Sequence, residues 1–246
     1  MKATAFEFRF RFIIILLLYM VGFWAPWTWT AGHYLPPAST AWLGLSTALA
    51  RWGMNLEAAT WLVTGLAIVA GLAGGWLRFW GTAYLSAPVV HSGAMLGDQI
   101  MAAGPYRYVR NPLYLGSILL AISIAILMPP SGAAVFLVLI ALFYFRLILG
   151  EEAFLAGQQG EPYLQYKEHV PRLVPSLRPR LARKQATPQW GMSLLSEALG
   201  LAWPLCLAVL AWRYNPLLLV RCLLVCFGLS LVLRAFLPKR AAAAPE

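Results

Sequence analysis

Apolar runs of bilayer length constrain this chain more than any other feature. A spanning helix needs about 20 mostly apolar residues, and five stretches read as such spans: Phe12–Trp29, Ala58–Leu77, Leu113–Met128, Gly132–Leu149 and Leu217–Leu237. A sixth, Met192–Trp212, is interrupted by Glu197 and Pro204. Of the 246 residues, 61% are hydrophobic and 11% charged, against about 25% charged in a soluble domain. The excess apolar surface has to face lipid. The expected fold is an all-α, polytopic transmembrane helix bundle of about six spans. No stretch is left over for a separate soluble catalytic domain, so any chemistry belongs at a membrane face.

The formal charge of +10 would suggest nucleic acid in a soluble protein. In a membrane protein it reflects the cytoplasmic excess of basic residues and attraction to anionic headgroups, so the expected partners are membrane lipids and not nucleic acid. Lys2, Arg9 and Arg11 precede the first run, which has no clean cleavage site and reads as a retained helix. Ala38–Trp52 is apolar but short and ends in Arg51. If it lies along the outer surface, both termini are cytoplasmic, as are Arg78, Arg107, Arg110, Arg146 and the Lys167–Lys184 cluster; if it spans, the basic N-terminus falls on the wrong side. The rule favours the first arrangement. The three cysteines, Cys206, Cys222 and Cys226, lie in apolar runs with no second metal-type pair and read as inert buried thiols. Gly71-x-x-x-Gly75 reads as helix packing in lipid.

Two polar stretches then face the cytoplasm, Arg78–Asn111 and Gly150–Gln189. Pro129-Pro130-Ser131-Gly132 is a turn signal that makes the two runs around it a hairpin. Asn111 enters this hairpin and Gly150 leaves it on the same side, so the two stretches meet in one composite site.

The first stretch carries Gly104-Pro-Tyr-Arg-Tyr-Val-Arg-Asn-Pro-Leu-Tyr-Leu-Gly116. Asn111-Pro112 is a helix start, with Asn111 expected to cap free amides. Arg110 sits just outside this end, Tyr114 one turn inside, and Gly116 allows a partner backbone or ligand to come close. The plainer reading makes Arg107 and Arg110 interfacial anchors and Tyr106, Tyr108 and Tyr114 an aromatic belt; the density of Arg, Tyr, Gly and Pro argues against it. The second stretch opens with Glu151-Glu152, a pair that repels itself and attracts a ligand's ammonium, hydroxyl or sulfonium groups. It continues as Gly160-Glu-Pro-Tyr-Leu-Gln-Tyr-Lys-Glu-His-Val-Pro-Arg172. Pro162 opens a short helix with Tyr163, Tyr166 and His169 in a row, and Pro171 ends it.

These elements together resemble the superfamily of isoprenylcysteine carboxyl methyltransferases and phospholipid methyltransferases. Its pattern is Gly-x-Tyr-x-x-x-Arg-His-Pro-x-Tyr-x-Gly, a membrane hairpin, a Glu-Glu pair, and Gly-x-x-Tyr-x-x-Tyr-x-x-x-Val-Pro, and the likeness covers roughly Arg78 to Pro175. Asn111 stands where the family usually has His, as it does in phospholipid-methylating members, and it cannot serve as a titratable base. His169 stands where the carboxyl methyltransferases tend to have Arg.

The resemblance implies an S-adenosylmethionine-dependent methyltransferase acting on a lipidic acceptor, either the carboxylate of a prenylcysteine-like substrate or a lipid amine. It implies a cofactor site facing the cytoplasm, lined by Gly104, Tyr106, Asn111, Pro112, Tyr114, Glu151 and Glu152. Arg110, Glu152 and His169 are the implied catalytic residues. Arg110, Tyr166 and Arg172 are implied at the acceptor, and no metal is implied. The corresponding division is 1–77 as N-terminal helices, 78–190 as the methyltransferase core with its hairpin and cap, and 191–246 as a C-terminal helix pair. Membrane sterol reductases, which use NADPH, share a similar core but lack this Glu-Glu placement. A non-enzymatic transporter would place its charges near the bilayer midplane, whereas here the polar residues gather at one face.

Overall fold

A computed structural model describes residues 2–24, 29–30, 33–34, 40–85, 103–182 and 186–235. Helices dominate it: α1 Ala5–Arg9, α2 Arg11–Trp24, α3 Ala41–Arg51, α4 Leu56–Leu85, a 3₁₀ turn Gly104–Arg107, α5 Pro112–Ala125, α6 Pro130–Gln159, α7 Glu161–His169, α8 Trp190–Arg213 and α9 Pro216–Ala235. One antiparallel pair of two-residue strands, β1 Trp29–Thr30 and β2 His33–Tyr34, follows α2.

Among the described residues, four helices are long and apolar enough to cross a membrane: Leu56–Leu85, Pro130–Gln159, Trp190–Arg213 and the last over Pro216–Leu233. Their length, their exposed Leu, Val, Trp and Phe side chains and their composition make this an integral membrane protein. The first and third expected spans are shorter here. Helices α2 and α5 have 14 residues each, about 21 Å at the usual rise. The part of the first run over 25–28 lies outside the described residues, as does Lys184 at the end of the Lys167–Lys184 cluster. The polar stretch expected from Arg78 begins inside a helix, and its part over 86–102 lies outside the described residues. Helix α4 continues to Leu85, because Arg78 finds a partner inside the bundle, and the 77/78 division falls within that helix.

Local chemistry sets the boundaries. Thr4 accepts from Glu7 N at 3.2 Å while the Glu7 carboxylate accepts from Thr4 N at 2.7 Å, a reciprocal cap on α1. Asn55 Oδ1 accepts from Ala58 N at 2.6 Å to open α4, and Asn215 Oδ1 accepts from Leu218 N at 3.1 Å to open α9. Proline stands in the first turn of α5 and α6, where its missing N–H costs nothing.

Helix α4 is the hub, packed against α3, α5 and α8, while α6 packs on α2 and α5. Small residues permit the close crossings. A Cβ on Gly74 would lie 2.6 Å from Gly116 O, one on Gly116 2.7 Å from Gly74 O, and one on Gly75 2.9 Å from Gly200 O. The expected glycine packing of α4 is thus real, and Gly116 admits a partner backbone. The expected hairpin is present, with Ile126–Pro129 between α5 and α6. At its turn, Ala41 N donates to Met128 O (2.7 Å) and Trp42 N to Ile126 O (2.8 Å). Two amides of the α3 N-terminus, otherwise orphaned, are satisfied there. Helix α3 has 11 residues, about 16 Å, too short to span. It sits at the end of the hairpin remote from Asn111 and Gly150.

Candidate active site

The open end of the hairpin brings the two polar stretches together. The Asn111 Nδ2 amide donates to Glu152 Oε1 at 3.1 Å and to Arg172 O at 3.2 Å. Asn111 therefore does not cap α5 with its side chain; its amide is directed to the carboxylate of α6 instead. Arg172 closes on the same carboxylate, with Nη2 2.9 Å from Oε2 and Nε 3.2 and 3.1 Å from Oε1 and Oε2. Arg110 Nε lies 3.5 Å from Glu152 Oε1, with its side chain 8% and that of Glu152 4% exposed. Arg110 Nη1 donates to Lys167 O at 3.2 Å, while its buried Nε makes no hydrogen bond. One carboxylate thus gathers an amide and two guanidinium groups from two parts of the chain. Its hydrogen bond holds the Arg172 guanidinium protonated more firmly than usual.

The segment after α7 is a strap. It runs antiparallel to residues 107–110, with Arg110 N donating to Pro171 O, Ser176 N to Tyr108 O and Arg180 N to Arg107 O, each at 2.9 Å. Arg107 Nε donates to Leu181 O at 2.9 Å. The strap then ties back to α4 through Gln189 N to Ala83 O, 2.7 Å. Beneath it Tyr163, Tyr166 and Val170 form a small core, and the Tyr166 hydroxyl donates to Tyr106 O at 2.9 Å. Burial pushes the phenols of Tyr106, Tyr163 and Tyr166 above their ordinary range, so they remain proton donors at neutral pH.

This cluster forms one end of a cavity of about 980 Å³. Tyr106, Arg110, Asn111, Pro112, Tyr114, Glu151, Glu152 and Tyr166 all face it. Glu151 is half-buried and lies within electrostatic reach of Tyr114 and Arg11. Most of the remaining wall is apolar, drawn from α2, α5, α8 and α9, with Arg11, Arg78, Ser117 and Glu197 set into it.

Three expected site residues stand apart from the cavity. His169 is exposed, and its Nδ1 lies 2.7 Å from Gln165 O. Each step of three along an α-helix rotates about 60° back, so Tyr163 and His169 point about 120° apart and only the tyrosines face inward. Gly104 serves the backbone: its φ is +53°, and a Cβ would collide with the Tyr84 ring. Arg172 reaches the site through its guanidinium on Glu152 and its carbonyl on Asn111.

Three charged cavity residues escaped recognition in the sequence. Arg78 Nε donates to Glu197 Oε2 at 2.7 Å and Nη2 to Oε1 at 2.9 Å; Ser117 Oγ accepts from Arg78 Nη1 at 2.7 Å, and Thr82 Oγ1 donates to Glu197 Oε1 at 3.1 Å. This pair joins α4 to α8 on the cavity wall. Its signal was available: an acid inside an apolar run requires a buried partner, and Arg78 ends the other run. Arg11, taken with the cytoplasmic basic residues, also faces the cavity.

Residues 47–161 match the family model described as phospholipid methyltransferase. The matched region holds α4, α5, α6, Arg110, Asn111 and the Glu151-Glu152 pair, and leaves α1, α2, the strap, α8 and α9 outside. No curated protein and no solved structure matches the chain.

Proposed function

We propose, from the match of residues 47–161 to the phospholipid methyltransferase family model, that this membrane protein transfers a methyl group from S-adenosylmethionine to a lipidic acceptor. The observation that carries the reading is the convergence of Arg110, Asn111 and Glu152 at one end of a cavity of about 980 Å³ whose remaining walls are mostly apolar. Ligand sites typically enclose about 300–1,000 Å³, with a few placed polar groups in an apolar lining.

The residues present fit the cofactor. Glu151 faces the cavity with a carboxylate suited to an ammonium group or ribose hydroxyls. Tyr106, Pro112 and Tyr114 offer flat apolar surface beside it, and the buried Arg110 Nε retains an unused donor. Gly104 shapes the backbone turn beneath them. When bound, S-adenosylmethionine supplies a methyl group on a sulfonium sulfur, which leaves as a neutral thioether keeping the electron pair of the broken S–C bond.

The protein's task is alignment, worth up to about 7–11 kcal/mol in well-oriented reactions. Glu152 holds Arg110, Asn111 and Arg172 in register, and Arg110 orients the acceptor. A carboxylate acceptor attacks through an oxygen that already bears the charge. An amine acceptor first gives a proton to a Glu151 carboxylate oxygen. The gathering of Arg107, Arg110, Lys167, Arg172 and Arg180 at this end of the bundle supports a cytoplasmic orientation.

Incubation of the purified protein with methyl-labelled S-adenosylmethionine and a membrane lipid extract tests the reading by mass spectrometry. Label is expected in the lipid fraction, together with thermal stabilisation by S-adenosylhomocysteine. Stabilisation by NADPH with neither of these results would exclude it.

A further inference from the structure

The N-terminal segment precedes the family-matched residues, yet it builds one wall of the cavity. Arg146 on α6 pins it. Glu7 Oε1 and Oε2 accept from Arg146 Nε and Nη2 at 3.0 and 2.8 Å, and Ala3 N donates to Arg146 O at 3.0 Å. Held there, the segment turns Phe8, Arg11 and Phe12 toward the cavity. Arg11 is 8% exposed. Its Cζ lies 4.2 Å from the Phe8 ring centroid and 4.8 Å from that of Phe12, and Nη1 donates to Phe8 O at 3.4 Å.

A guanidinium stacked on rings is restrained through its faces; its in-plane edge carries several N–H donors, so that it serves Phe8 O and lies within electrostatic reach of Glu151 while presenting a fork geometry that suits carboxylate or phosphate oxygens. Arg11 sits at the head of an apolar trough. Ile15, Leu16 and Tyr19 continue below it on α2, and Val220 and Leu223 of α9 form another wall. A charged anchor followed by an apolar channel complements an amphiphile with an anionic head, whereas a nucleoside would find few polar partners along that channel.

We infer that Arg11 binds the anionic group of the acceptor lipid, either its carboxylate or its phosphate, so that the N-terminal segment sets acceptor selectivity. This rests on the methyl-transfer reading of the same cavity. Arg11 binds substrate but takes no part in bond making.

The full-length protein in a neutral maltoside detergent is titrated with palmitate, hexadecyl phosphate, hexadecanol and hexadecylamine, and separately with S-adenosylhomocysteine. Wild type is expected to bind at least one of the two anionic probes about tenfold more tightly than the alcohol or the amine, as one charge-assisted contact supplies. Comparing palmitate with hexadecyl phosphate identifies which anion is read. Arg11→Gln should reduce the preference to about twofold or less while leaving the S-adenosylhomocysteine Kd unchanged, and Arg11→Lys should keep part of it. Equal binding of anionic and neutral probes by wild type overturns the proposal whether or not the variants fold. So does an Arg11→Gln protein that keeps the preference, or one that loses S-adenosylhomocysteine instead. Loss of the anion preference in Arg11→Gln, with no S-adenosylhomocysteine bound even by wild type, would support Arg11 and sink the methyltransferase assignment.

Discussion

The Asn111 amide meets the Glu152 carboxylate at 3.1 Å across 41 positions of sequence. The contact exists because α5 and α6 leave and re-enter the same end of the bundle. It replaces the side-chain cap expected at the start of α5, and it makes Glu152 the junction of the hairpin and the strap.

Removing that charge leaves two guanidinium groups without their shared counter-ion. Glu152→Gln is expected to destabilise the site by up to about 3–5 kcal/mol, as for other broken buried pairs, and to lower methyl transfer by about 100-fold or more through misplacement. Labelled-methyl assays read the second effect. Hydrogen exchange should show the strap over residues 171–181 opening first. Arg110→Ala should lose transfer comparably while the strap stays protected, because its backbone bond from Arg110 N to Pro171 O does not depend on the side chain.

Arg78 and Glu197 join α4 to α8 in the same way. Glu197→Ala strands a guanidinium in the bundle and is expected to cost about 3–5 kcal/mol, whereas Arg78→Met with Glu197→Leu should recover most of the loss. Thermal unfolding in detergent distinguishes the single from the double variant.

Glycine substitutions separate close packing from propensity. Gly116→Ala places a methyl group 2.7 Å from a backbone carbonyl that cannot rotate away, and a cost of about 1–3 kcal/mol or more is expected. Gly65→Ala meets nothing within 4 Å and should stabilise by about 0.5–1 kcal/mol. Equal unfolding temperatures for the two would contradict the α4–α5 crossing.

The N-terminal anchor should respond to acid. Hydrogen bonding to Arg146, chiefly, holds the Glu7 carboxyl down at about 2 from its ordinary 4.5. Its contribution is therefore complete above pH 4.5 and declines as pH falls toward 2. Hydrogen exchange in α1, corrected for its intrinsic pH dependence, should show protection falling across that window. Glu7→Gln should lower protection at neutral pH and flatten the dependence.

Apolar run length revealed the membrane-embedded helices, because lipid exposure acts on composition locally and needs no knowledge of neighbours. The Pro129-Pro130 turn revealed the hairpin, and with it the meeting of Arg110 and Asn111 with Glu151 and Glu152. The row of Tyr163, Tyr166 and His169 was only two-thirds legible, since helical rotation accumulates over two successive steps.

Local pattern determined where the chain enters lipid, where it turns and which polar clusters share a face. Only the tertiary structure decided which charge each group serves. Arg78 chose Glu197, Arg172 joined Arg110 on Glu152, and Arg11 came to face the cavity through a segment pinned by Arg146. Ion pairing depends on distances of a few ångströms between groups far apart in sequence, and those distances are set by how the helices pack.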